Sequence, residues 1–590
     1  MNTTLSAPRG NIPRTPVDLS AVIKYFAKHP YFCAFLICLL LNPLYYCSLT
    51  YIPENAVEFE TFVILLCGFV FFFRHCRQSD SRRKKGAIKI GFVLFMAVVL
   101  TGAYFYQTAG QPILWMFLGG SILLFFLYFF LHQSEYRLQW NALLILGMSF
   151  LQKIIYVIFT SVYTRQHDVR SFSDDYKGHA GYIQYLLDFH HLPDFDPRTH
   201  YQFYHPPLHH TISAVWIGLQ KICFGISAET AQESLQTLSL FYAMAIVITG
   251  YCILRHFDLK GMALYFPLII IAFHPTFILF SGSINNDPLS VVWMMGAVLC
   301  TLKWYRNQTS TNILKIALCV GLGMMTKLSA AAVAIPIAIV FAVVLFQKIR
   351  HRKYKIFGQY GAFLGVCIPL GLWYPLRNYL KFGLPFTYVQ QLSTTETQYL
   401  GDQSFWSRIT DFSLWQFDSV FEQFLSLDEN GLLVGYNEKN PLIAVLKNFI
   451  FGEYINESIF VPDTWMASIA VLFFWVAFAL AVLAFIAMII VLFLRCEMRS
   501  LEKTLLVTFY GVLMISLYCL SESMPFVCSM NSRYITPNVI IPAVCMGICL
   551  QKAQHTFPKK VSVLLYSSVG VLTLGFAALS LIVYLYVGIS

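Results

Sequence analysis

The sequence predicts an all-α protein that crosses a membrane about fifteen times, on three observations. Asp, Glu, Lys and Arg make up only 12% of its 590 residues, about half the share in soluble domains. Apolar residues supply 57%, and mean hydropathy is +0.62. Apolar runs near the ~20 residues that a helix needs to cross a bilayer recur along the whole chain. Lipid offers no partner to a free N–H or C=O, so such runs are read as helices. The same arithmetic excludes a soluble globular fold and a disordered chain. The fifteen Cys fall mostly within apolar runs without paired spacing, which excludes a disulfide scaffold and reads as small buried hydrophobes.

Taken in order, spans are expected at about 31–48, 59–75, 89–107, 113–132 and 141–163. They continue at 234–253, 261–281, 288–304, 313–326, 329–347, 358–376, 466–494, 504–521, 533–550 and 562–587. The first thirty residues lack the apolar core and cleavage pattern of a secretory peptide, so insertion is expected to start at the first span. The net charge of +11 sits in short loops between spans, which argues for membrane orientation and against nucleic-acid binding. Arg77, Arg82, Arg83, Lys84, Lys85 and Lys89 form one cytoplasmic cluster, and Lys348, Arg350, Arg352, Lys353 and Lys355 another. Counting from them places 164–208 and 377–465 outside, provided that 209–225 re-enters or lies along the outer interface instead of crossing. A division follows between an N-terminal group of about four spans, 1–135, and a larger module, 136–587, that holds both outer loops.

Chemistry concentrates in the first of these loops. Eight of the fifteen His, namely His167, His179, His190, His191, His200, His205, His209 and His210, fall between residues 164 and 210, with six Asp among them. A mere connection needs none of these, although solvated His and Asp are also cheap loop residues. In HDVRSFSDDYKGHAGYIQYLL, residues 167–187, Asp168 follows a span, where a carboxylate at the mouth of a cavity can take a proton from an attacking hydroxyl. Asp175 and His179, four apart, share a face if the helix has begun, with Tyr182 beside them. These three are candidates for sugar or acceptor binding. A zinc or manganese site at Asp168, His167 and His179 is the competing use, without a short ligand motif to support it.

In YQFYHPPLHH, residues 201–210, Pro206 and Pro207 stop a continuous helix and leave His205 at the entry to the next, placed to meet a phosphate. In SGSINNDPL, residues 281–289, Asp287 interrupts an apolar region. A membrane carboxylate is a functional-site candidate by default, and a plain helix cap ahead of Pro288 is the alternative. Lys327, Arg377 and Arg533 are isolated cations at span ends on the outer side, suited to an anionic lipid phosphate, with snorkelling to headgroups as the alternative. The loop 377–465, with Trp406 and Trp415, is expected either to cover the site and select the acceptor or to be a passive cap.

Together these strings resemble the GT-C integral-membrane glycosyltransferases, in particular the superfamily of protein O-mannosyltransferases and lipid A aminoarabinose transferases. The motifs that carry the resemblance run in order across 141–550: HD at 167–168, DYKGHAGYIQYL at 175–186, YHPPLHH at 204–210, INND at 284–287, TK at 326–327, WYPLRNYLKFGLPF at 373–386 and RY at 533–534. The resemblance implies a GT-C-like fold with extracytoplasmic loop helices in a plasma (inner) membrane. It also implies an inverting transfer from a polyprenyl-phosphate-linked sugar to a hydroxyl of a glycan, lipid or protein acceptor. Asp168 and Asp287 would be the catalytic carboxylates, Asp168 as the base, and Lys327, Arg377 and Arg533 the donor-phosphate cations. Where some relatives carry adjacent Asp-Glu in the first loop, this chain has His167-Asp168. Besides phospholipid no further partner or obligatory cofactor is implied, and a divalent metal ion stays open. A lipid-linked substrate transporter or flippase and a non-catalytic accessory subunit are the alternatives. Broken helices with polar residues near the midplane would favour the transporter, whereas the polar residues here gather mainly in outer loops, and an accessory subunit gives no reason for the ordered motifs.

Overall fold

The computed structural model describes residues 29–50, 61, 63–66, 68–73, 99, 112–131, 137–352, 354–401, 403–424, 436–461 and 464–589. Among them nine helices are long and apolar enough to cross a membrane, ten if one bent pair counts as a span. Of the span expected at 59–75, residues 61, 63–66 and 68–73 are described and are helical, whereas that expected at 89–107 lies outside the described residues except for residue 99. No sheet occurs among the described residues, only an isolated antiparallel bridge between Tyr399 and Phe526.

Two helices precede the larger module, α1 (Pro30–Thr50) and α2 (Pro112–Leu131). The module opens with α3 (Arg137–Ile158), followed on the site side by α4 (Gly178–Phe189) and α5 (Leu208–Phe224). Pro206 and Pro207 end the preceding loop as expected, and α5 starts directly after them. Its Trp216 indole donates to Ser234 Oγ at 3.0 Å, at the start of α6 (Leu235–His256). Its first turn is tied to the same end of the fold by His209 Nε2, 2.7 Å from the Ile284 carbonyl. Helix α5 therefore begins and ends on one side, with Val215, Leu219, Ile222 and Phe224 exposed along its outer face. This is the geometry of a helix lying along an interface.

The next span is broken. Helices α7 (Met262–Ala272) and α8 (Pro275–Gly282) meet at 45°, because Pro275 has no N–H to continue the ladder. The break frees carbonyls at membrane depth, where each must find a donor. Lys153 Nζ and Ser149 Oγ of α3 donate to the Ala272 carbonyl at 2.7 and 2.6 Å, and Ser580 Oγ donates to that of Phe273 at 2.7 Å. Lys153 is thus fully buried as a structural donor, a use of a membrane lysine that needs no acidic partner.

The remaining helices alternate between the two sides. Helix α9 (Asp287–Arg306) leaves the site side, α10 (Ser310–Thr326) returns, and α11 (Ala334–Arg350) leaves again after a 3-10 stretch at Leu328–Val333. The least regular pair of spans in the sequence, 313–326 and 329–347, is this return. Helix α12 (Lys355–Phe382) runs six residues beyond the expected span end. Its helical ladder therefore contains Arg377, which the sequence reading placed at the start of a loop. Gly383, at φ +65°, closes α12 with its N–H on the Tyr379 carbonyl, a left-handed cap that glycine adopts without strain. A second irregular segment carries α13 (Pro441–Phe451). Then follow α14 (Thr464–Phe493), α15 (Ser500–Ser523), 3-10 turns at Val527–Met530 and Ser532–Val539, α16 (Ile540–Thr556) and α17 (Lys559–Ile589). The N-terminus of α9 and the C-termini of α10, α12 and α15 converge on one side, together with the turns at 527–539. The candidate site is built from that convergence.

Candidate active site

The loop after α3 is pinned to the start of α4 by its own backbone. His179 and Ala180 donate their N–H groups to the carbonyls of Asp168 and Val169, each at 3.0 Å. This close approach needs Gly178, whose φ is +72° and whose missing Cβ would stand 2.5 Å from the Val169 oxygen. It also needs Gly181, where a Cβ would meet the Tyr176 carbonyl carbon at 2.5 Å. The glycines in DYKGHAGY are thus steric requirements that fix the position of Asp168, itself at φ +59°, a conformation uncommon outside glycine.

The Asp168 carboxylate faces inward with both oxygens engaged. Tyr201 Oη donates to Oδ1 at 2.5 Å and Arg533 Nη1 to Oδ2 at 3.0 Å. Arg533 Nη1 also stands 3.8 Å from Asp287 Oδ2, and the other Asp287 oxygen is paired with Lys327 Nζ. Four segments far apart in sequence therefore form a row, Asp168, Arg533, Asp287, Lys327, of alternating and balanced charge. Tyr534 floors it, with its ring centroid 5.0 Å from the Arg533 guanidinium and 5.1 Å from Lys327 Nζ. Asp287 is not a plain helix cap. At the cap position Asn286 makes no side-chain capping bond and instead donates to the Thr326 carbonyl at 3.3 Å. Burial raises the pKa of Asp168, but the Arg533 charge and the Tyr201 hydroxyl outweigh it and hold the carboxyl well below the usual range. Asp168 is an ionised carboxylate.

Beside the row, the His179 ring lies between those of His205 and His210, with centroids 5.5 and 5.2 Å away. Tyr182 closes the stack on His210 at 4.2 Å. His179 Nδ1 and His210 Nε2 share a hydrogen bond at 2.9 Å, so one ring donates and the other accepts. Burial first, then the neighbouring imidazoles and Lys327, push His179 and His205 well below the ordinary histidine value. Both rings are neutral at physiological pH.

Asp168, Asp287, Lys327, Arg533, His179 and His205 all line one cavity of about 590 Å³. Tyr201, Tyr204 and Tyr534 share its polar end. Its other walls are Met324 and Leu372 from α10 and α12, Leu520 and Met524 from α15, and the irregular segment from Leu384 to Leu392. Four residues singled out from the sequence do not line it. Asp175 is exposed and bound to Ser173 Oγ at 2.5 Å. Tyr182 is buried in the ring stack, its hydroxyl 3.2 Å from that of Tyr374. Arg377 donates to the Pro193 carbonyl and, at 2.8 Å, to Asn378 Oδ1. His167 turns away and pairs with Glu453 at 2.8 Å. Hence the trio weighed as metal ligands does not converge, and no group of three or more His, Cys, Asp or Glu among the described residues is arranged to hold a metal ion. Tyr201, Tyr534 and Glu453 are additions from the structure. Tyr201 and Tyr534 stand inside the quoted strings, whereas nothing in the sequence marks Glu453.

The family model for dolichyl-phosphate-mannose-protein mannosyltransferases matches residues 220–386. Those residues carry the sequence pattern of a membrane glycosyltransferase family. They include Asp287, Lys327 and Arg377 but neither Asp168 nor Arg533. Among solved structures, ArnT from Cupriavidus metallidurans bound to undecaprenyl phosphate is 12% identical with a TM-score of 0.41, over 76% of this chain and 77% of that one. The Archaeoglobus fulgidus oligosaccharyltransferase in complex with Zn and sulfate is 14% identical with a TM-score of 0.40, over 75% of this chain and 53% of that one. No curated protein matches.

Proposed function

We propose that this protein is an inverting glycosyltransferase that moves a sugar from a polyprenyl-phosphate donor to an acceptor hydroxyl. One observation carries the reading. The row from Asp168 to Lys327 heads a cavity whose walls include the apolar ends of spans, Met324, Leu372, Leu520 and Met524 among them, as an isoprenoid phosphate reached from the bilayer requires. The family match over 220–386 supports the same class.

The donor phosphate lies against Arg533 and Lys327, with the neutral His205 as a further hydrogen-bond donor. Arg377, held on a backbone carbonyl and outside the cavity, joins the phosphate only after a change of rotamer. Asp287 and Asp168 together balance the two cations so that they can be buried before the donor arrives, since unpaired buried charge is strongly destabilising. The acceptor oxygen attacks C1 on the face opposite the phosphate. Its proton passes to Asp168, the C1–O bond to phosphate breaks, and the leaving electron pair is stabilised by the two cations. With the donor absent, Arg533 and Tyr201 occupy both Asp168 oxygens, and a carboxylate held in this way is a weak base. A phosphate drawing Arg533 away raises the basicity of Asp168, so donor binding prepares the base. Asp175 and Tyr182, outside the cavity, act on sugar or acceptor only through the loop and stack that they support.

The basic ends of α11 and α12, Arg350 and Lys355, stand opposite the cavity side. By the positive-inside tendency this supports an extracytoplasmic site in a plasma membrane. The test is mass spectrometry of lipids retained by gently purified protein, alongside Asp168→Asn. Enrichment of a polyprenyl-phosphate sugar in the variant supports the reading, and acceptor-dependent release of polyprenyl phosphate by the unaltered protein completes it. A protein that retains and turns over no such lipid defeats it.

A further inference from the structure

The segment 405–417, between α12 and α13, bears an exposed apolar face that the proposed reaction does not use. Leu414 is 84% exposed and Trp406 73%, with Phe412 and Trp415 also exposed. A loop in water does not gather such residues without a use, because contiguous exposed apolar surface marks a binding face.

Its contacts fix its height along the spans. Phe417 packs on Trp475 of α14 with ring centroids 5.8 Å apart, and Phe405 packs on Tyr518 of α15 at 6.1 Å. From Phe493, the last residue of α14, Trp475 is eighteen residues back, about 27 Å at 1.5 Å per residue. That is within the ~30 Å hydrocarbon thickness when Phe493 stands at the opposite surface, where Arg495 follows. Tyr518 lies fifteen residues from Lys503, about 22 Å by the same rise. Trp475, Leu472 and Ile515 are themselves exposed on the outer faces of their helices, as lipid-facing residues are. The apolar face of 405–417 therefore continues a surface that is already in lipid, at the depth where tryptophan concentrates.

The geometry points to residues 405–417 as a collar seated in the headgroup and upper acyl layer of the leaflet on the cavity side, its partner being the bilayer itself. Arg408 clasps the collar to the spans. Its guanidinium is buried and donates to the Ser521 carbonyl at 3.0 Å and to Ser521 Oγ at 2.5 Å. Those acceptors lie at the C-terminal end of α15, where a helix dipole favours a cation. Leu520 and Met524, on either side of Ser521, line the cavity. The lipid surface thus bears on the cavity wall through one side chain, and residues 405–417 of the 377–465 loop are a membrane anchor instead of a cover over the site.

The test uses the full-length protein in liposomes with single added cysteines at Leu414→Cys and, separately, Trp406→Cys, each read by mass spectrometry of its own peptide. The probes are a charged, membrane-impermeant maleimide and a lipid-soluble one. Thr394→Cys, in the exposed segment before the collar, is the aqueous control, and Ile515→Cys the lipid control. The expected result is that both collar positions react with the lipid-soluble reagent like position 515, and about tenfold more slowly than position 394 with the charged one. Reaction with the charged reagent at the rate of position 394 overturns the proposal by placing the collar in water. Protection from both reagents overturns it as well, by showing that protein covers the face. Neither outcome depends on the transfer reaction.

Discussion

Arg533 donates to Asp168 at 3.0 Å across 365 residues of sequence, and the same nitrogen stands 3.8 Å from Asp287. One guanidinium thus serves two carboxylates and balances its charge only with Lys327 on the far side. The row is complete without a donor and has to be opened by one. Asp168→Asn keeps the shape and can still accept from Arg533 through its one amide oxygen, with the Tyr201 hydroxyl turned to accept from the new NH2, but it cannot take a proton at neutral pH. Turnover should fall by about a hundredfold or more, while retention of the lipid donor holds or increases. Single-turnover assays beside donor-binding measurements check this, and near-normal turnover in correctly inserted protein removes Asp168 as the base.

Lys327→Met leaves Asp287 and Asp168 to share the single charge of Arg533. Breaking a buried pair on one side costs about 3–5 kcal/mol, so apparent thermal stability should drop. Donor affinity should weaken at least about tenfold, since a charge-assisted bond to phosphate is lost. Lys327→Arg should restore stability more than affinity, because a planar fork does not reproduce a point charge. Equal donor affinity in Lys327→Met and unaltered protein would show that the lysine serves only the pair.

Acid should weaken the fold before it protonates Asp168. His179 and His205 are neutral when folded because burial depresses them, while in the unfolded chain they take up protons below about pH 6.5. The unfolded state then binds more protons, so stability falls as pH drops through and below that value. The slope approaches about 1.4 kcal/mol per pH unit for each histidine. Asp168, depressed by Arg533 and Tyr201, loses its contribution only below the ordinary carboxylate value of about 3.9. Apparent melting temperatures in nanodiscs between pH 7.5 and 5 should decline, and replacing His205 by Asn should flatten the decline. An unchanged slope would place the titrating groups elsewhere.

How far the sequence was legible follows from range. The break at Pro206 and most spans are local events, encoded by residues that forbid or permit a backbone conformation, whereas the sequence reading runs one span through the break at Pro275 and ends another six residues short of the helix end that Gly383 caps. Four members of the cavity's polar end were visible, Asp287, Lys327 and Arg533 as charges in or beside apolar runs and Asp168 as a carboxylate just past a span in a His- and Asp-rich loop. Their order in the row was not, because pairing across hundreds of residues leaves no local signal. Arg377 shows the converse. An isolated cation at a span end looks the same whether it points into a cavity or, as here, onto the Pro193 carbonyl. Glu453 was invisible because a loop glutamate is ordinary until its partner is known. Buried against His167 and accepting from Asn531 at 3.2 Å, it supports the turn that carries Arg533. Glu453→Gln should lower stability by about 1–3 kcal/mol and turnover far less than Asp168→Asn, as thermal unfolding beside an activity assay would show. A larger loss of turnover than of stability would assign Glu453 a part in the chemistry.

The last prediction concerns the backbone that sets Asp168. Gly178→Ala places a methyl group 2.5 Å from the Val169 oxygen and 2.7 Å from that of Asp168, at φ +72°. Neither neighbour is a flexible side chain, so the loop itself must move. The left-handed conformation costs about 1 kcal/mol by itself, and the loop's two bonds to His179 and Ala180 put about 1 kcal/mol each at risk. The chemical consequence should exceed the loss of stability. A shift of about 1 Å is enough to cost on the order of a hundredfold in rate when the reacting groups are held by the protein. Donor affinity, which rests on Lys327 and Arg533 from other segments, should stay within a few-fold of normal. Parallel measurement of turnover, donor retention and thermal stability separates these effects. Parallel collapse of all three would mean that the loop is needed to fold the site instead of to aim its base.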